Sequence, residues 1–168
     1  MVKIGIFIIP NLLYSNLGVD GLNSWLKKMQ PDFLILSGGN NIGENEDRDR
    51  LELFLLDYAK RIKMPVLGIC RGMQIMSYWS GCKLKSIDDH VNKRHKINGE
   101  ICKEVNSYHN ESIIDCPENF KVLANSEDGE IEAIKHMVLP WEGWMWHPER
   151  EKKFQKDDIK RIKVLFGI

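Results

Sequence analysis

The run Pro65-Val66-Leu67-Gly68-Ile69 passes straight into Cys70-Arg71-Gly72 and then into a stretch with helical spacing through about Trp79. A segment this apolar reads as a strand covered on both faces, the kind found inside a parallel sheet. Gly68-Ile69-Cys70-Arg71-Gly72 then sets a cysteine in a tight strand-to-helix turn, where a Cβ at either glycine would meet the neighbouring strand or helix. Such a turn holds the thiol above the carboxyl edge of the sheet. The helix N-terminus favours thiolate over thiol, and its free N–H groups can meet a developing oxyanion. The competing reading is a buried, inert cysteine, a common fate of Cys after an apolar strand.

The flanking sequence predicts the sheet that this turn requires. Val2 to Ile9 is another β-branched, nearly continuous apolar run, ended by Pro10 and Asn11. Phe33 to Leu36 is a further buried strand, entering Ser37-Gly38-Gly39-Asn40-Asn41. Val19, Leu22, Trp25, Leu26 and Met29 recur at helical spacing, as do Leu51, Phe54, Leu55 and Tyr58. These predict amphipathic helices over about 18–29 and 47–60. Alternating strand and helix predicts an α/β fold, a parallel sheet with helices on both faces. Past Cys82, shorter β-like runs around 96–105, 120–125, 131–136 and 143–147 are separated by Gly, Asn, Asp and Pro turns, and Lys156 to Phe166 reads as a closing helix.

At 168 residues the chain suits one domain, 1–168, with its own core, and is too short for two. Lysine plus arginine total 24 and aspartate plus glutamate total 24, so charge gives no reason to expect a nucleic-acid or membrane partner. The Lys93-Arg94-His95-Lys96 run remains a candidate local basic pocket. No apolar stretch approaches the ~18–20 residues of a membrane span. Cys70, Cys82, Cys102 and Cys116 show no CxxC or metal-finger spacing with the histidines, which predicts reduced thiols, a cytoplasmic protein and no metal or cofactor. His90 and His95 fall in a charged loop and read as surface residues. Trp141, Trp144 and Trp146 read as filling the sheet edge and the wall of the site.

A cysteine nucleophile requires a base. Among His90, His95, His109, His136 and His147, the last stands out, because Trp144-Met145-Trp146 leads into it and Pro148-Glu149 follows. Residues two apart in an extended segment point the same way, so Glu149 is placed to fix the His147 tautomer and stabilise its imidazolium. Ser37-Gly38-Gly39 ends a parallel strand, and its paired glycines let one N–H complete an oxyanion hole with that of Arg71. Taken alone, that tripeptide is also an ordinary strand-ending turn.

Four segments occur here in one order: Leu36-Ser37-Gly38-Gly39-Asn40, Gly68-Ile69-Cys70-Arg71-Gly72-Met73-Gln74, Val105-Asn106-Ser107-Tyr108-His109-Asn110 and Trp146-His147-Pro148-Glu149. Together they resemble the class I glutamine amidotransferases, specifically the γ-glutamyl hydrolase branch (the peptidase C26 group). Within it, the hydrolases of γ-glutamyl-γ-aminobutyrate and γ-glutamyl-CDP-amidate are nearest in kind. The resemblance covers nearly the whole chain. It implies a flavodoxin-like three-layer fold with a mostly parallel central sheet. It also implies nucleophile Cys70, base His147, acid Glu149 and an oxyanion hole from the Gly39 and Arg71 backbones. Gln74 would help hold a glutamyl moiety, and Ser107, Tyr108 and His109 would grip its α-amino and α-carboxylate groups, partly through backbone.

The chain departs from that branch in two places. It begins at what matches the second strand, so the first strand-helix unit is missing or compressed, and recognition of the leaving group has the least support. Asn110-Glu111 also stands where the branch more often has glutamine second. The implied activity is cleavage of a small-molecule γ-glutamyl amide through a cysteine thioester. A glutaminase subunit serving a synthase and a catalytically silent binding module remain alternatives. A homodimer and a synthase partner both stay open.

Overall fold

The computed structural model describes residues 8–168. The strand expected over Val2–Ile9 falls outside them, apart from Ile8 and Ile9, which belong to no regular element. Helix α1 (Leu13–Met29) starts earlier than its apolar periodicity indicates and is kinked at Gly18 (φ 62°), a conformation glycine adopts freely. It buries Leu22 and Leu26 against Leu51 and Leu55 of α2 (Glu46–Ile62). Asn45 caps α2 by accepting a hydrogen bond from the Arg48 N–H, with Glu46, Asp47 and Asp49 in the first turn and Lys60 and Arg61 in the last, each complementing the helix dipole.

Strands β1 (Leu34–Leu36), β2 (Val66–Ile69) and β9 (Trp141–Trp144) pair in parallel, with β2 in the middle. Helix α3 (Arg71–Trp79) follows β2 directly. Strand β2 is buried along its whole length, as its composition predicts. Strand β1 is not. It is the sheet edge among the described residues, and Ile35 is 52% exposed.

Between α3 and β9 the chain builds an antiparallel wing. Strands β4 (Val91–Gly99), β5 (Lys103–Tyr108), β7 (Phe120–Ser126) and β8 (Ile131–His136) extend the sheet in the order β1-β2-β9-β8-β7-β4-β5. The run expected over 96–105 is a hairpin of two strands, because Gly99 (φ 144°) lies against the Leu123 carbonyl, where a Cβ would be 2.5 Å from the oxygen. Strands β3 (Leu84–Ser86) and β6 (Glu111–Ile113) pair separately. The α/β class is as expected and the parallel part is the half that carries the elbow. Short turns let the wing pair antiparallel, so the sheet as a whole is mixed.

Side chains alternate across the central strands. Val66 and Trp141 face the cluster with α2 and α3, whereas Leu67, Ile69 and Trp144 face the opposite cluster with Ile162, Leu165 and Phe166 of α4 (Lys156–Phe166). This gives three layers, helix, sheet and helix. Trp141 and Trp144 stand in the sheet interior, not at its edge, because β9 lies between β2 and β8, and Trp146, past the strand's end, stacks on Trp144.

Candidate active site

Leu36, Ile69 and Trp144 end three adjacent parallel strands, and the segments carrying the site leave from those ends. That is where open α/β sheets bind ligands. Cys70 adopts φ 51° and ψ −108°, a strained conformation for a non-glycine residue, costing about 1–3 kcal/mol. Its N–H donates to the Trp144 carbonyl at 2.6 Å, fixing the turn to β9. A Cβ on Gly68 would lie 2.5 Å from the Gly72 backbone, and one on Gly72 would overlap the Leu36 carbonyl. The elbow therefore closes only with glycine at both positions.

The thiol is 5% exposed. Burial pushes its pKa up to about 11; the Arg71 N–H and the charge of Arg150 pull it down, while Glu149 and Glu132 push it up. Burial thus favours the thiol in the resting site, against the pull of the Arg71 N–H at the start of α3.

His147 is 3% exposed, and its Nδ1 lies 2.6 Å from Glu149 Oε1. Burial works against charge on Glu149, yet the His147 bond, its own backbone and Arg150 hold its pKa below the ordinary carboxylate value. The route differs from the one expected. Strand β9 stops at Trp144, and Pro148–Arg150 forms a 3₁₀ turn that brings Glu149 round to the ring. Gly38 packs against the Cε1 edge of the ring: a Cβ there would stand 2.5 Å from His147 Cε1.

Two supports were not evident in the sequence. Asn106, 4% exposed, clamps the His147 backbone from both sides: its Oδ1 accepts from the His147 N–H at 2.8 Å and its Nδ2 donates to the His147 carbonyl at 2.8 Å. The second is a charge network. The buried Arg71 guanidinium pairs with Asp49 and Glu52, and Arg48 Nε donates to Glu52 at 2.8 Å. Arg48 also donates to the carbonyls of Ser37 at 2.8 Å and Gly38 at 3.2 Å. In a trans peptide the N–H opposes the C=O, so the Gly39 N–H points away from Arg48. Glu52 shares a helical face with Leu56 and Ala59 at i+4 and i+7, a spacing that marks a buried carboxylate.

The remaining candidates are placed unequally. Tyr108 borders the site, edge-on to His147 with centroids 5.8 Å apart and with Arg150 4.3 Å above its ring. Gln74 Nε2 donates to the Glu111 carbonyl at 2.9 Å, and Ser107 Oγ donates to the His90 carbonyl at 2.6 Å. His109 Nδ1 lies 3.1 Å from the Glu111 carbonyl. These three side chains hold the wing in place. The Lys93–Lys96 run is not an open basic pocket, because Lys93 pairs with Asp89 and Arg94 with Glu104 and Glu151.

His90 is not a surface residue. It is 2% exposed and lies with His95 and His109 around the fully buried Glu132. Glu132 and Asp128 raise its pKa to about 9 against the cost of burial. An isolated histidine in a charged loop carries no sign of a carboxylate about forty residues further on.

Residues 15–165 match the family described as Glutamine amidotransferase class-I. Over 141 residues the chain is 32% identical to γ-glutamyl-CDP-amidate hydrolase of Campylobacter jejuni, covering 80% of this chain and 70% of that protein. Over 146 residues it is 31% identical to a glutamine-hydrolyzing GMP synthase subunit of Pyrococcus abyssi, covering 81% and 76%. It spans 29% of the GMP synthase of Bacillus subtilis, at 31% identity over 156 residues. A crystal structure from Thermoplasma acidophilum, described as a GMP synthase subunit, matches in fold with a TM-score of 0.75 at 24% identity, covering 96% of this chain and 79% of that one. The chain belongs to the class I glutamine amidotransferase family.

Proposed function

We propose that this single domain, 1–168, hydrolyses a small-molecule γ-glutamyl amide with a Cys70, His147 and Glu149 triad. One observation carries the reading: an elbow cysteine and a carboxylate-held imidazole leave the ends of two paired parallel strands. The buried thiol needs its proton removed at the moment of attack, and His147 takes it. The thiolate then adds to the γ-carbonyl. The oxyanion is met by the Gly39 and Arg71 N–H groups. His147 returns the proton to the departing amine, leaving a γ-glutamyl thioester on Cys70. Water, deprotonated by His147, adds to the thioester; collapse of the adduct expels the sulfur, which takes that proton back from His147, and releases glutamate. Tyr108, edge-on to His147, and the backbone of 107–109 would hold the glutamyl end, with Gln74 supporting that wall.

The relative from Campylobacter jejuni supports a free-standing hydrolase. The relative from Pyrococcus abyssi supports a second reading, a glutaminase that feeds a synthase partner. All four cysteines are free thiols, which fits a cytoplasmic setting. Among the described residues no helix is long and apolar enough to cross a membrane.

The test is glutamate release from glutamine, γ-glutamyl-amino acids, γ-glutamyl-γ-aminobutyrate and γ-glutamyl nucleotide amidates. A hydrolase turns over at least one of them alone, and Cys70→Ala lowers that rate by about 10⁴-fold or more. Full turnover in Cys70→Ala would refute the assignment.

A further inference from the structure

Outside the site, the most unusual group of side chains is the one centred on Glu132. This glutamate is fully buried on β8, and neither of its carboxylate oxygens has a hydrogen-bond partner among the described residues. Three imidazole nitrogens face one of those oxygens. His90 Nδ1 is 3.4 Å away, His95 Nε2 3.2 Å and His109 Nε2 3.4 Å. His90 Nδ1 and His109 Nε2 are themselves 3.3 Å apart. The ligating atoms of His90, His95 and Glu132 all lie within 4.8 Å of one another.

A proton on His90 balances charge but does not explain this spacing. Charge-assisted N–H···O⁻ bonds close to about 2.7–2.9 Å. A tetrahedron about an ion with ligand bonds of about 2.0–2.1 Å has edges of about 3.3 Å, as found for the three N···O separations and for His90 to His109, whereas His95 and His109 stand farther apart. The far nitrogens are also arranged as metal-bound imidazoles require. His90 Nε2 meets Asp128 at 2.8 Å, and His109 Nδ1 meets the Glu111 carbonyl at 3.1 Å, so each ring presents its other nitrogen to Glu132. The side chain of His95 is 16% exposed and opens the cluster to solvent.

We propose that His90, His95 and Glu132 bind a divalent transition-metal ion of the zinc class, with His109 swinging in as the fourth ligand on loading. Three imidazoles and one carboxylate suit zinc or cobalt better than magnesium or calcium, which take oxygen ligands. The ion fastens β4, through His95 and the adjacent His90, and the His109 turn to β8. That clasp steadies the wing bearing Tyr108. The ion does not touch the reacting atoms at Cys70, although the charge of Glu132 is felt there.

The test uses chelator-stripped full-length protein carrying Cys70→Ser, so that Cys70 and His147 cannot hold the probe ion. Titration with cobalt(II) alone should give one equivalent bound, with the intense visible absorption of a tetrahedral site and no thiolate-to-cobalt band. Calorimetry with zinc(II) should show the same stoichiometry, and Tm should rise on loading. Glu132→Gln and His95→Gln should each weaken binding by about 100-fold, and Asp128→Asn, changing a half-exposed side chain, by about tenfold. Asp128→Asn keeps the test decisive if a buried substitution prevents folding. No stoichiometric uptake, a thiolate band from the remaining cysteines, or affinity unchanged in Asp128→Asn and His95→Gln would overturn the proposal.

Discussion

Cys70 combines a strained backbone with a thiol that burial keeps protonated. Its reactivity therefore depends on pH in a defined direction. In the free enzyme, alkylation by a small neutral electrophile should be slow at pH 7 and rise toward a midpoint near pH 11, because only the thiolate reacts. With a γ-glutamyl substrate, turnover should already be present near neutrality if His147 removes the proton as attack occurs, as proposed. Alkylation with a midpoint below pH 7 would show a preformed thiolate and refute this account. Glu149→Gln should lower kcat roughly 10²–10⁴-fold with little change in KM, as loss of the acid leaves the ring unoriented. The proposed triad can be named from the sequence because each of its members stands in a short local pattern. Asn106 was not, because its partner is the backbone of a residue forty-one positions away.

At the scale of elements, the site depends on contacts between segments far apart in the chain. Gly72 lets α3 approach β1, so Gly72→Ala should destabilise by about 3 kcal/mol, read from urea unfolding. Arg71→Leu should cost about as much, roughly 3 kcal/mol, since it removes one of the two cations on the buried Glu52 and the only one on Asp49 among the described residues. Asn106→Ala leaves the His147 N–H without a partner and its carbonyl with the Arg150 N–H alone, and should cost about 1–3 kcal/mol, with a fall in kcat beyond the loss of folded protein. The parallel elements were readable because their apolar runs and helical spacing are local. The wing was blurred: a hairpin through Gly99 looks like one run over 96–105 until the turn is seen against β7. The exposure of Ile35 was likewise invisible, because composition does not say which strand is an edge.

For the molecule as a whole, layering and chain order bring three strand ends, the Arg48–Glu52–Arg71 network and the antiparallel wing together around one thiol. The family follows from motifs spread over the whole chain, whereas the leaving group does not, because no pattern on the wing encodes it. A free-standing hydrolase should reach its full rate without any added protein; a rate that rises only with a synthase present would favour the partner-coupled reading. The most direct test of the central claim is labelling with a glutamine-like diazo-ketone, followed by peptide mass spectrometry. The account predicts one adduct per chain, on Cys70, formed at neutral pH and suppressed in His147→Ala. No adduct, or one on Cys82, Cys102 or Cys116 with Cys70 unmodified, would contradict it.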